Sequence, residues 1–444
     1  SSRHRIITLA ADSASVIQFN STRETVAFLA RRATWGLAPG ALDEFEALGV
    51  EGTIEFLVNP SVAGVADEAS AWADWDFTYD RSDRRTSRAQ ELQAFDRWMK
   101  RLQTTERPLD HQLAWFWHDH FAVSFQVVRH LPAMLDHLEL CRSLGRGDFR
   151  ELIRRVTTDP AMLVFLDGAT STGASPNENF GRELLELYTV GIHNFAEADV
   201  KAAAVALTGW VVQRRLGFDA RFVSRRHDDT PQTLLGVEGV HDVETTVAAV
   251  TSSAACPVFI ASKLGRYFLG DIDNPTIFEL GSVFEAADLD ITALARATLT
   301  TGAAGNASPL VVSPLHWLLQ SIKSTGARIE TESLIRALGL LGQVPAQPPN
   351  VGGYPGASTW LGSSATAARF SIATALAGAT PSDAPALVAA RASDWSALAD
   401  LLLRPTGFSE PTLDALNGLD RFVTTRPGEG ALALALASPD LLIA

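Results

Sequence analysis

Apolar residues recur at three- and four-residue spacing along most of the chain, which is the period of amphipathic helices. The pattern predicts helices over 24–32 (with Thr22 as N-cap), 39–48, 52–57, 88–103, 109–121, 132–144, 148–156, 177–190 and 197–210. It resumes over 241–251, 258–268, 276–286, 291–299, 315–324 and 330–340, and four more helices are expected between 367 and 443. Between these two runs, 211–217 and 218–223 alternate in the manner of a β-hairpin. The Trp-bearing polar stretch 67–83 reads as a surface loop. The Pro- and Gly-rich stretch 345–356 reads as a stiff loop, either the rim of a cleft or a connection between helical layers. No repeat of fixed period is present. The expected fold is mainly α: one large multi-helix domain over 1–444 with a minor β-hairpin near 211–223.

One predicted helix breaks the pattern. In Pro176–Tyr188, plotted at about 100° per residue, Phe180, Leu184, Leu187 and Tyr188 form the apolar face. Asn179, Glu183 and Glu186 form a second stripe, and Glu183 falls on the shoulder of the apolar face. A carboxylate there is either desolvated or bound, and both states need partners. The plain alternative to a functional site is an internal salt-bridge network in which Arg182 pairs with Glu178 and Glu186, each four residues away.

Composition narrows the function classes. The chain has 444 residues, 46% of them hydrophobic, so it buries a substantial core. A net charge of -14 disfavours nucleic acid, and the Arg214-Arg215 and Arg225-Arg226 pairs are too short to make a basic patch. No apolar run is long enough for a membrane span, and no signal peptide stands at the start. The expectation is a soluble protein, cytoplasmic or exported with its signal already removed. Cys141 and Cys256 read as buried thiols, although Cys256 near a helix start is a candidate for a lowered pKa. Walker and GxGxxG sequences are absent, so no nucleotide cofactor is expected.

Several stretches together resemble a bacterial family known as domain of unknown function 1800. They include Arg31–Gly36 (RRATWG), Phe116–Ser124 (FWHDHFAVS), Asp159–Met162 (DPAM), Asn177–Glu186 (NENFGRELLE) and Thr208–Trp210 (TGW). His227-Asp228, Ser313-Pro314, Gly342-Gln343 and Pro348–Gly352 follow in the family's order. The resemblance covers about 25–370, leaving 371–444 as a C-terminal helical extension. It implies a bacterial protein, often exported and often encoded beside a sulfatase-like partner, and it transfers no catalytic role. This chain reads as a divergent member: His111 and His316 stand where the family usually shows Glu, exchanges that would alter local charge and metal preference.

The candidate chemistry gathers on two helices. On 109–121, His120 shares the apolar face with Leu113, Phe116 and Trp117, while His118 lies about 200° away near His111. The two imidazoles can share a site only if the helix ends there and the chain becomes extended. The favoured expectation is an enzyme with a buried His/Glu site holding a divalent or transition metal. His118, His120 and Glu183 would be its ligands, and Glu178, Glu183, Glu186 and Asp228 its acid–base groups. The second expectation is a metal-independent glycoside hydrolase with paired carboxylates, drawing on Asp167, Asp199 or Asp228, and with Trp35, Trp117 and Trp210 as a stacking platform for a polysaccharide. The third is a binding or assembly protein whose polar residues only hold the core together. The substrate, whether a small molecule or a polysaccharide, is not legible.

Overall fold

The computed structural model describes residues 17–75, 79, 82–214, 217–419 and 428–444. At its centre lies the helix Pro108–His120, in which ten of 13 residues are buried. Pro108 starts it with a preset φ, and Asp110 places a carboxylate in the first turn, where the helix dipole favours it. A helix buried on every side cannot sort its polar residues onto a wet face. Asp110, His111, Gln112, His118, Asp119 and His120 must therefore be satisfied within the protein.

The buried apolar side chains form two main clusters. One draws on residues between Val26 and Ala307 with Leu403. The other draws on Val312–Ala444 and takes in Trp35, Met99, Leu102 and Trp115 from the first part of the chain. The Arg31–Gly36 stretch links them. Trp35 is fully buried in the second cluster, at the end of the helix Thr22–Ala33 that lies in the first. Arg32 is buried and donates to the carbonyls of Phe268, Ser308 and Ala444. Burial and then the neighbouring Arg404 lower its pKa to about 9. Thr34 closes the turn: its hydroxyl accepts from Gly36 N–H, and its carbonyl accepts from Gln112 of the central helix at 2.7 Å.

The mainly α expectation holds, and the structure adds detail that the periodicity lacked. Ser21, not Thr22, caps the first helix, because its hydroxyl accepts from Glu24 N–H. The 39–48 and 52–57 helices join into Ala41–Val58, kinked at Gly49, whose φ of 70° suits glycine. The expected hairpin is present as β1 (Trp210–Val212) and β2 (Ala220–Phe222), antiparallel, with 215–216 of its turn outside the described residues. A second hairpin, β3 (Gln232–Leu234) with β4 (Val237–Val240), was not expected. Its strands are too short for alternation to show. The segment after 363 holds six helices among the described residues rather than four: Ser363–Ala379, Pro385–Arg391, Trp395–Leu401, Glu410–Gly418, Glu429–Ala437 and Pro439–Leu442. After Ala379, Pro and Asp punctuation cuts it into pieces of four to nine residues. Among the described residues no single helix is long and apolar enough to cross a membrane.

Arg32→Met keeps much of the side-chain volume but leaves three buried carbonyls without a donor. Its expected cost is about 3 kcal/mol by urea unfolding. A loss below about 1 kcal/mol would mean that water already satisfies these carbonyls.

Candidate functional site

The Glu-rich helix is built differently from its plot. Asn177 caps it by accepting from Phe180 N–H, and its amide donates to Leu166 O. The α-helix Glu178–Glu183 then widens into a π-helical turn, Leu184–Thr189, so the 3.6-residue period ends at Glu183. Glu178 is exposed, while Glu183 and Glu186 are partly buried. Burial and then Glu186 raise the Glu183 carboxyl above its ordinary range, with Arg182 opposing. Arg182 instead hydrogen-bonds Glu197 at 2.6 Å. Of the predicted stripe, the helix therefore yields one desolvated carboxylate and no internal ion-pair network.

The histidines diverge. The helix stays helical through His120, so His118 and His120 leave it on different sides, as the period requires. His120 is partly buried, and its Nε2 lies 3.0 Å from Tyr188 O at the end of the π turn. A carbonyl only accepts, so Nε2 carries the hydrogen and Nδ1 the lone pair. Burial, then the Lys263 charge, lowers its pKa to about 3. His118 is fully buried among Trp115, His137 and Tyr354. Burial and the His137 charge lower it to about 3. The proposed ligand set of His118, His120 and Glu183 is thus not brought together. Among the described residues no three His, Cys, Asp or Glu side chains are grouped to hold a metal ion.

Asp228 accepts from Thr230 N–H and caps a turn, and His227 bonds Thr208 rather than Asp228. Asp199 accepts from Ala196 and Leu235 N–H and anchors β3 to its helix. Two of the three carboxylates named for a glycosidase pair, Asp199 and Asp228, are therefore spent on backbone N–H groups, and Asp167 is exposed with no side-chain cap bond. Trp35 and Trp117 are fully buried, where no sugar can stack, and Trp117 donates to Gly145 O. Burial pushes the Cys256 thiol up to about 12, the reverse of the activated thiol that its helix start suggested.

What does assemble is a cleft of about 260 Å³ on the other side of the central helix, lined by Asp119, His120, Leu187, Lys263, Tyr267 and Gly352 among others. Lys263 and Arg266, three apart on the helix Ala255–Leu269, stand exposed at its mouth on one face. Tyr267 forms a wall, its hydroxyl held by Gln112 Oε1 at 2.6 Å. The Pro/Gly loop closes the other side: Asp119 Oδ1 accepts from Tyr354 N–H at 2.7 Å. Gly353 has φ of 90°, and a Cβ there would come within 2.4 Å of that same oxygen, so only glycine lets the loop approach. Burial raises the Asp119 carboxyl to about 6, with the Tyr354 N–H and the Lys263 charge pulling it back. Asp119 and Lys263 feel one another yet make no direct ion pair. The sequence reading passed over Asp119, Lys263, Arg266 and Tyr267. A carboxylate inside a helix buried all round was the signal available for Asp119.

The family exchanges also find partners. His111 Nε2 lies 2.8 Å from Glu68. Burial would raise the Glu68 carboxyl, but hydrogen bonds from His111 and Thr105 outweigh it and hold it at about 2. His316 packs on Trp35, and burial with the Arg32 charge lowers it to about 4. The Asp159–Met162 stretch caps its helix through Asp159, which also bonds buried His137 at 3.1 Å. Burial pulls His137 down, but Cys141 and Asp159 outweigh it and hold it raised, at about 10.

The family described as protein of unknown function (DUF1800) matches residues 28–443. The match runs through the segment expected to be an extension, so 371–444 is part of the family's length. No curated protein and no solved structure matches the chain.

The raised His137 makes stability depend on pH. Its folded pKa of about 10 lies above the unfolded value of about 6.5. The pair therefore contributes fully below about pH 6.5 and loses its contribution as pH rises through about 10. Asp159→Asn, which still caps, is expected to cost about 3 kcal/mol at pH 6 and progressively less toward pH 10. Urea unfolding across that range tests this, and a pH-independent difference would mean a neutral His137.

Proposed function

The chain belongs to the DUF1800 family, whose description carries no activity, and on that premise we propose that it is a hydrolase acting on a small anionic substrate in the Asp119–Lys263 cleft. One observation carries the reading. A carboxylate and an ammonium face the same cleft without pairing, which leaves room for a ligand between them. Lys263 and Arg266 would hold the anionic group at the mouth. The walls of Phe116, Leu187 and Tyr267 would cover an apolar portion.

Asp119 supplies the acid–base chemistry. A carboxyl held at about 6 is ionised at neutral pH, yet strong enough as a base to take a proton from water. His120 Nδ1, an acceptor because Nε2 is spent on Tyr188 O, would orient that water. The water oxygen adds to the electrophilic centre of the ester (carbon, phosphorus or sulfur) and its proton passes to Asp119 as the bond to the leaving oxygen breaks. The leaving group departs with the proton Asp119 returns. A metal, the first expectation from the sequence, would find Asp119 and His120 in this cleft and, among the described residues, no third side-chain ligand grouped with them.

Turnover of a panel of p-nitrophenyl phosphate, sulfate and carboxylate-bearing esters tests the reading. The wild type is expected to hydrolyse at least one class, with kcat/KM rising as pH passes about 6. Asp119→Asn keeps an acceptor for Tyr354 N–H and is expected to lose about 10²- to 10⁴-fold in kcat, with Tm unchanged. Lys263→Gln is expected to raise KM. Turnover undiminished in Asp119→Asn would overturn the mechanism. No turnover, together with no rise in Tm in phosphate, sulfate or succinate, would sink the cleft as an anion site.

A further inference from the structure

On the opposite side of the central helix from the cleft, His118 meets a second cavity, and its two ring nitrogens carry the argument. The residue is fully buried, and neither Nδ1 nor Nε2 has a protein hydrogen-bond partner. Two bare imidazole nitrogens in a protein interior are costly, and such groups are nearly always paired. His118 lines a cavity of about 30 Å³ bounded by Trp72, Trp98, Trp115 and Leu138. A second cavity of about 100 Å³ adjoins it, sharing Trp72, Trp98 and Leu138, and its lining also includes Phe95, Phe125, Met134 and Leu135. That chamber shares Arg88, Glu91 and Phe125 with a surface depression of about 300 Å³, which gives a way in. Trp72, which lines both cavities, carries an Nε1 that is also buried without a partner.

The chemistry of the walls selects the occupant. The two adjoining cavities, of about 100 and 30 Å³, together approach an engineered cavity of about 150 Å³ that takes up benzene. One aromatic ring is therefore the right scale, and Trp and Phe walls suit its faces. At the polar end every charge is already compensated. Arg101 and His111 pair with Glu68, and Arg142 pairs with Glu139. An ionised head group would arrive without a counter-charge. A neutral imidazole offers one N–H and one lone pair, and the indole offers one further N–H. A hydroxyl matches this, because it donates to the bare nitrogen and accepts from an N–H.

We propose that this paired cavity is a binding site for a small neutral aromatic alcohol of the phenol class, with its ring between Trp98 and Phe125 and its hydroxyl on His118 and Trp72. The site is separate from the Asp119 cleft and stands or falls without it.

Calorimetric titration of the full chain with phenol and with toluene tests the proposal, with tryptophan fluorescence as a second readout. The wild type is expected to bind phenol saturably, about tenfold more tightly than toluene, since only phenol can donate to a bare His118 nitrogen and accept from Trp72 Nε1–H. His118 makes no protein hydrogen bond, so His118→Leu is expected to fold, to bind toluene at least as well and to lose the preference for phenol. Trp72→Phe, which keeps a ring and removes the N–H, is expected to reduce the preference and serves if His118→Leu does not fold. Equal wild-type affinity for the two compounds, a preference that survives in the variants, or binding of neither would overturn the proposal. The last result would mean that water alone fills the cavity.

Discussion

The structure depends on one helix that is almost wholly buried. Ten of the 13 residues of Pro108–His120 are buried, and its sequence nevertheless carries six polar side chains among three aromatic ones. In an interior of low dielectric each of these must find a partner or remain a liability. Most do. Asp110 pairs with Arg107 and Arg146, His111 with Glu68, and Gln112 bridges Thr34 and Tyr267. What remains unpaired lies at the C-terminal end of the helix: both nitrogens of His118, and the free positions of Asp119 and His120. The cleft and the cavities flank those three residues.

The same economy governs the rest of the fold. Residues that look catalytic in isolation are used to close helix ends and tie distant segments. Asn177, Asp159, Asp199 and Asp228 accept from backbone N–H groups. Buried Arg32 collects three carbonyls from segments far apart in the chain. Such groups stabilise by filling orphaned backbone valences, and their loss leaves those valences bare. Arg32, Asp159, Asn177 and Asp228 all stand in the stretches that resemble the family. The residues with room left for a ligand are fewer and were harder to see.

The Glu-rich segment shows where pattern reading succeeds and where it stops. The shoulder position of Glu183 follows from helical geometry, and its carboxyl is desolvated as that position requires. The geometry then changes to a π turn, and the carbonyl of Tyr188 at its end takes the hydrogen of His120. That bond sets the imidazole tautomer and turns Nδ1 to the task of acceptor. Nothing in the local sequence announces a π turn, because its widening depends on packing against neighbouring helices.

By itself the sequence determined the mainly α architecture, the position of most helices, the β1–β2 hairpin and the family. Each of these is written in local periodicity or in contiguous motifs. It also determined that His118 and His120 must diverge, since about 100° per residue allows nothing else. The tertiary structure alone decided which polar groups are spent and which are free. The cleft joins 119–120, 187, 263–267 and 351–352, and the cavity joins 72, 98, 118 and 138. Contacts across such separations are chosen by how buried surfaces fit, and amphipathic period carries no record of that choice.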